Sequence, residues 1–242
     1  MKFFYLLNLL FLFTACSSQY VYLPNQTFYT PESYGDFGKG SVGVGISQNT
    51  EVTVIKNTTT TPPDDTVSFR KCDSGPDCSS AIWTLPVQVG LINGLDLSYK
   101  NGLFGLQYQI LGTPNKEGFK TALHFSYGSQ KMSKGEGSSS QATTRSEFLD
   151  GALSVGYRYK TTQMVYLTYS HFTSNTKTEI INNSQNYTYD DTGLNKRLGL
   201  GLMLSSESGY VLIETTGTQT SWSRTSEIFN DVSVGGALGI KW

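Results

Sequence analysis

Leu198-Gly199-Leu200-Gly201-Leu202-Met203-Leu204-Ser205 carries a leucine at every even position and Gly, Gly, Met and Ser at the odd ones. A period of two belongs to a β-strand, whose successive side chains point to opposite faces. A helix would need apolar residues at i, i+3 and i+4 instead. The same alternation recurs along the chain. Val42, Val44 and Ile46 alternate with Ser41, Gly43, Gly45 and Ser47, and Trp83, Leu85, Val87, Val89 and Leu91 with Thr84, Pro86, Gln88 and Gly90. Phe119, Thr121, Leu123, Phe125 and Tyr127 face away from Lys120, Ala122, His124, Ser126 and Gly128; Leu153, Val155, Tyr157 and Tyr159 face away from Ser154, Gly156, Arg158 and Lys160.

The composition of the two faces indicates the solvent. A soluble sandwich or barrel turns its large apolar face inward and covers the other with Lys, Glu, Thr and Arg. Here the second face is mostly Gly, Ser, Ala, Gln and Thr with isolated charges, which suits a confined interior, while the large aliphatic and aromatic face suits lipid. That is the inside-out pattern of a transmembrane β-barrel, and strands cross hydrocarbon only as a closed ring, because every backbone polar group there must be paired. A secreted Gly-rich β-sandwich is the alternative.

Composition agrees. Of 242 residues only 15% are charged, against about a quarter in a soluble domain. Gly 25, Tyr 15 and Phe 13 make up more than a fifth of the chain, which excludes a coiled coil, a helical bundle and a charged disordered tail. With a net charge of −1 and no Lys/Arg block, the basic stripe that nucleic-acid binding needs is missing. Two His and three Cys are too few for most metal clusters, so neither a metal nor a cofactor is expected.

The alternation predicts ten antiparallel, up-and-down strands near 38–48, 82–92, 95–100, 103–112, 118–129, 146–160, 162–173, 194–205, 210–219 and 229–242. Pairing 95–100 with 103–112 is the weakest link; without it the barrel has eight strands. Long connections at 49–81, 130–145, 174–193 and 220–228 alternate with short ones at Asn93-Gly94, 113–117, Thr161 and Ser206-Glu207-Ser208-Gly209. Asn-Gly is the strongest short hairpin signal. Outer-membrane barrels have short periplasmic turns and longer outer loops, so the long connections are expected outside, with Lys100-Asn101-Gly102 as a tight outer turn. The division expected is 1–15 signal, 16–37 anchor and periplasmic linker or lumenal plug, and 38–242 barrel, with the N-terminus periplasmic.

Residues 1–16, MKFFYLLNLLFLFTAC, place Lys2 before an apolar run too short to span a bilayer, which fits the helical core of a secretory signal. Phe13-Thr14-Ala15-Cys16 resembles the lipobox of bacterial lipoproteins, although Phe13 stands where Leu is usual. The resemblance implies that Cys16 is acylated and becomes the mature N-terminus; the other reading is an ordinary signal cut near Ala15. At the other end, Leu238, Ile240 and Trp242 share the lipid-facing register and resemble the terminal assembly signal of bacterial outer-membrane proteins, with Trp in place of the usual Phe and Ala237 in place of the usual Gly. That resemblance implies recognition by the barrel-assembly machinery, with outer-membrane lipid as the other partner. No external ligand is indicated.

Candidate chemistry is sparse. His124-Phe125-Ser126 resembles the catalytic pair of lipid A deacylase barrels, but Tyr127 replaces the Asn of that family and the pair's register faces the lumen. A ten-strand barrel also resembles the omptin proteases; His171 stands near the outer end of its strand with Asp190 and Asp191 beyond it, yet its parity faces outward. The lumenal register collects Asp96, Lys100, Gln107, Gln109, Lys120, His124, Asp150, Arg158, Arg197, Glu214 and Lys241. Buried charge needs partners, so these residues are expected to form a polar network filling the interior. The alternative is a narrow conduction path for small solutes, although an aqueous channel takes about sixteen strands. Gly201, also inward, is expected to accept Ser if the lumen has room. The favoured function is a non-enzymatic outer-membrane barrel, a lipoprotein with surface loops and a structural or ligand-binding role.

Cys72 and Cys78 flank Asp73-Ser74-Gly75-Pro76-Asp77, strong turn chemistry in an exported chain, and are expected to pair; two free thiols are the other reading. Maleimide should not label either cysteine in the folded, unreduced protein. Stoichiometric labelling of both would refute the bond.

Overall fold

The structure is a computed structural model that describes residues 16–57, 64–71, 81–135, 140–182 and 185–242. Residues 1–15, expected as a signal, and both Cys72 and Cys78 lie outside these residues. Among the described residues there are thirteen strands and no helix.

Ten strands form an antiparallel ring. They are β2 (Gly40–Asn57), β5 (Val87–Ile92), β6 (Leu95–Lys100), β7 (Leu103–Leu111), β8 (Gly118–Gly135), β9 (Ser140–Lys160), β10 (Gln163–Asn182), β11 (Gln185–Ser205), β12 (Gly209–Trp222) and β13 (Ile228–Lys241). Each pairs with its sequence neighbour from β5 through β13, and β2 closes the ring by pairing with both β13 and β5. The β6–β7 ladder runs from Leu95↔Tyr108 to Lys100↔Leu103, so the strand number is ten and not eight. The strand expected at 82–92 is interrupted at Leu85-Pro86, where β4 (Ala81–Thr84) gives way to β5. Pro86 has no N–H for a ladder bond; its carbonyl instead accepts from the Gly43 N–H at 2.9 Å.

Alternation fixes the two faces. Leu198, Leu200, Leu204, Leu123, Phe125, Val155 and Leu238 are exposed on the outside, while Gly201, Ala122, Ser154 and Ala237 are buried inside. A contiguous outer belt of Leu, Ile, Val, Phe and Tyr is the surface that hydrocarbon requires and water penalises. Leu238, Ile240 and Trp242 all belong to it. The C-terminus is also tied to the start of the first ring strand: Gly40 and Trp242 exchange backbone hydrogen bonds, and Trp242 Nε1 donates to the Gly38 carbonyl at 2.9 Å.

Three features differ from the expectation. First, the segments expected as long loops at 130–145 and 174–193 are largely continued strand. β10 and β11 stay paired from Gln163↔Leu204 to Asn182↔Gln185, and β8 and β9 out to Gly135↔Gln141. Their Thr- and Ser-rich outer halves keep the ladder but not the apolar face, so hydropathy alternation ends before pairing does. Second, the expected loop 49–81 contains strand as well. The outer half of β2 is the centre of a three-stranded sheet with β3 (Asp64–Lys71) on one side and β1 (Cys16–Pro24) on the other.

Third, β1 lies at the projecting-hairpin end of the ring, opposite the short turns. Residues 16–24 pair with the projecting part of β2, so the segment enters the ring from that end. Nothing in the composition of 17–37 shows on which side it starts; the pairing of Pro24 with Asn49 decides it. From Pro24 the chain runs down the inside of the ring and emerges at the short-turn end, where Gly38 N–H bonds to the Gly90 carbonyl.

The β1–β2–β3 sheet caps the mouth. Val21, Leu23, Val52, Val54 and Val67 pack on Leu103, Phe148, Phe172 and Trp222, which the wall turns inward. Trp222 is only 2% exposed in this cluster. A second apolar cluster lower in the lumen holds Phe28, Met164, Tyr166, Met203, Leu212 and Ala237.

Two substitutions follow from the faces. Leu200→Arg should cost about 2–4 kcal/mol, the penalty for Arg on the lipid face near the midplane. Gly201→Ser, expected to be tolerated, should instead cost about 1–3 kcal/mol by overpacking, because a Cβ there falls 2.1 Å from Cζ of the buried Tyr166. Urea unfolding in lipid vesicles checks both, and a parent-like Gly201→Ser would mean the lumen has slack.

Candidate functional site

An extended segment inside a barrel has a problem that strands solve by pairing: its N–H and C=O groups are buried with no ladder. Residues 25–35 solve it with the side chains of the wall. From Pro24 to Tyr34 the segment is hydrogen-bonded to every strand of the ring, from β2 at Gln48 and β5 at Gln88 to β12 at Glu214 and β13 at Ser233.

The outermost contacts belong to Asn25 and Gln26. Asn25 N–H donates to the Gln48 carbonyl at 3.0 Å, and the Gln26 amide bridges Ser233 Oγ at 2.8 Å and the Gln48 N–H at 2.7 Å. Arg197 Nη1 donates to the Pro24 carbonyl at 3.1 Å while its Nη2 pairs with Asp150.

Glu214 comes next. Its carboxylate accepts the successive N–H groups of Thr27 at 2.7 Å and Phe28 at 3.1 Å, together with Tyr166 OH at 3.0 Å and Thr216 Oγ1 at 3.0 Å. Two consecutive N–H groups converge on one anion because Phe28 has φ +50°, the left-handed turn that makes a backbone nest. A non-glycine residue there is strained by about 1–3 kcal/mol, which the carboxylate offsets.

Tyr29 occupies the middle of the lumen. Its hydroxyl donates to Asp150 Oδ2 at 2.8 Å and lies 3.0 Å from Ser126 Oγ, and its carbonyl accepts from Ser154 and Thr168 at 2.8 and 2.9 Å. Its ring stacks on His124 with centroids 4.5 Å apart and lies 5.0 Å from Lys100 Nζ, which also donates to the Phe28 carbonyl at 2.9 Å.

Lower still is Glu32. Arg158 grips both its oxygens, Nε at 3.2 Å and Nη2 in a charge-assisted contact; Asn115 N–H donates at 2.6 Å and Lys120 Nζ stands at 3.6 Å. Gln107 donates to the Glu32 carbonyl at 2.8 Å, Gln109 accepts the Ser33 N–H at 2.8 Å, and Asp96 accepts the Tyr34 N–H at 3.0 Å.

Every lumenal residue drawn from the alternation is therefore buried within the ring, except Lys241, which is half-buried at the short-turn end. Their chemistry is aimed at the threaded segment. Of the lumenal residues drawn from the alternation and buried within the ring, Lys100, Lys120, Arg158 and Arg197 are cations and Asp96, Asp150 and Glu214 are anions; Glu32 of the segment adds a further anion beside Arg158 and Lys120. The sequence assigned no site role to any of residues 25–35. The excess of cations over anions in the lumenal register was the available signal.

The two catalytic resemblances fare differently from the network. His124 Nε2 is 3.0 Å from Ser154 Oγ, and Tyr29 covers both its ring and Ser126, so the pair faces neither lipid nor open water. His171 is exposed on the outer face. Asp191 pairs with Arg224, and Asp190 is exposed. No arrangement brings either acid to His171.

A closed antiparallel ring, apolar outside and polar within, defines the class: a transmembrane β-barrel of the outer-membrane type with ten ring strands. No family model matches the sequence, and no curated protein does. Among solved structures the chain is similar to Ail, the attachment invasion locus protein of Yersinia pestis, at 13% identity over 85% of this chain and 99% of that one, with a TM-score of 0.35. The class rests on ring closure and the two faces, not on that likeness.

Removing one partner of a buried ion pair strands the other charge, at about 3–5 kcal/mol. Glu32→Ala should lower unfolding stability by that amount, since it strips Arg158 and Lys120 together. An unchanged urea midpoint in vesicles would show that the segment does not hold the wall.

Proposed function

We propose that the protein is a sealed, non-enzymatic outer-membrane barrel that threads its own N-terminal segment through the lumen and presents the cap and projecting hairpins outside for ligand binding or envelope structure. The observation that carries this reading is the continuous set of hydrogen bonds from residues 24–34 to all ten ring strands. A small barrel of about eight strands is filled by side chains alone. Ten strands leave a somewhat wider bore, and one extended chain takes up the difference. A passage for solutes would have to displace that chain, taking Glu32 from Arg158 and the Thr27 and Phe28 N–H groups from Glu214. The same occupancy supports the non-enzymatic reading, because Tyr29 stands where a substrate would have to meet His124 and Ser126.

The orientation follows the rule that short turns face the periplasm. The turns at Asn93-Gly94, 112–117, 161–162 and 206–208 share one end of the ring, and the cap and hairpins share the other, which is then the outer surface. Cys16, at the far end of β1, comes out on that surface, so the acylation implied by its lipobox would anchor it from outside. Leu238, Ile240 and Trp242 supply the strand that the barrel-assembly machinery would take.

Planar-bilayer recording tests the seal: the parent should show no unitary current, and steady unitary conductance would overturn it. Orientation is checked on intact cells with a membrane-impermeant thiol reagent. Glu227→Cys, in the turn after β12, should label and Lys116→Cys should not; the opposite pattern would invert the topology.

A further inference from the structure

The rim of the barrel is uneven. β6 ends at Lys100 and β7 begins at Leu103, joined by Asn101-Gly102 with φ of +52° and +80°. On one side β8 continues to Gly135, and on the other β2 continues to Asn57. The short hairpin leaves a notch, and behind it, under the cap, lies a cleft of about 300 Å³. Its floor is the apolar layer of Leu103, Phe148 and Phe172, and Trp83 stands at its lip, 71% exposed.

Two asparagines line the cleft with unmet hydrogen-bonding capacity. Asn49 is fully buried, and neither its Nδ2 nor its Oδ1 has a partner. Asn101 has its N–H on Thr84 Oγ1 and its Nδ2 on the Gln26 carbonyl, but its Oδ1 has none. A buried amide atom left unpaired costs about 1–3 kcal/mol, so three of them on one cavity mark a place where a partner belongs. Among the described residues, no charged side chain lines the cleft.

We propose that this cleft is a binding site for a neutral saccharide unit. The ligand must both donate and accept hydrogen bonds, because Asn49 offers a donor and an acceptor and Asn101 an acceptor; a sugar hydroxyl does both. It must present weakly polar C–H faces to aromatic rings, as a pyranose does to Trp83 and Phe148. It carries no net charge, since an ion would enter without a counter-charge. An acyl chain would fit the floor but leave all three amide atoms unpaired. The volume lies at the lower end of ligand pockets, enough for a mono- or disaccharide. The proposal names the ligand class for the outer-surface role above, and rests on that reading only for the direction in which the notch opens.

The test uses the full mature protein in nanodiscs, titrated with N,N′-diacetylchitobiose, lactose and maltose while tryptophan emission is followed. At least one sugar should give a saturable shift. Trp83→Ala, at an exposed lip that the fold does not depend on, and Asn49→Leu, which removes the orphan donor and acceptor, should each weaken binding at least tenfold. No saturable change with any of the three sugars overturns the site, as does parent-like binding in Trp83→Ala. Native mass spectrometry showing a retained lipid displaced by neither sugar nor dialysis would assign the cleft to an acyl chain and also overturn it. None of these outcomes depends on conductance or topology, so failure here leaves the sealed-barrel reading intact.

Discussion

A chain inside a membrane barrel has no bulk water with which to satisfy its backbone, and the organisation of the lumen follows from that constraint. The wall strands meet it by pairing in a ring. Below Asn25, whose N–H meets the Gln48 carbonyl, the threaded segment forms no ladder, and side chains of the wall take its N–H and C=O groups. Glu214 takes two consecutive N–H groups, Lys100 and Gln107 take carbonyls, and Asp96 and Gln109 take the next N–H groups down the bore. The scattered charges on the inner face are in this sense a mould of one particular backbone path. Substituting any of them leaves a buried polar group unmatched in the segment, and so the wall and its filling stand or fall together.

Charge and width are coupled to that filling. A bore wider than side chains alone can close is filled when a chain runs through it, and a buried ion there needs a counter-charge in a pair or several hydrogen bonds. Arg197 with Asp150, and Arg158 with Glu32, are such pairs, and the second spans wall and segment. Above this polar zone the lumen turns apolar, and Phe148, Phe172 and Trp222 meet the valines of the cap. The mouth is thus closed by a small core of the kind found in soluble proteins, seated on top of a polar one. A gap in this closure lies where the β6–β7 hairpin ends short of the cap, and Asn49 and Asn101 line it.

Much of this was legible in the sequence, and what was not has identifiable causes. Alternation alone separated Leu198, Leu200 and Leu204 from Gly199, Gly201 and Met203, because a strand's two faces meet two different solvents and the period is two whatever the strand pairs with. The same parity placed Asp96, Lys120, His124, Arg158 and Glu214 inside. Phe148, Phe172 and Trp222 share that inward parity and break its polar rule; they are the visible trace of the cap, but only once the cap is known to be there. Pairing beyond the membrane was hidden, since Thr-Ser-Asn strands in water show no hydropathy contrast between faces and read as loops.

The sequence by itself determined the class of solvent, the strand number to within one hairpin, and which side chains face inward. Each of these depends on local period and composition. The direction of the N-terminal segment, its path down the bore and the pairing of Glu32 with Arg158 were decided only in the tertiary structure, because they join residues that are 126 apart in the chain and no local pattern encodes a partner at that range. The room at Gly201 was decided there too. A glycine reports that space is needed; only the buried ring of Tyr166, packed against it from the next strand, shows what uses that space.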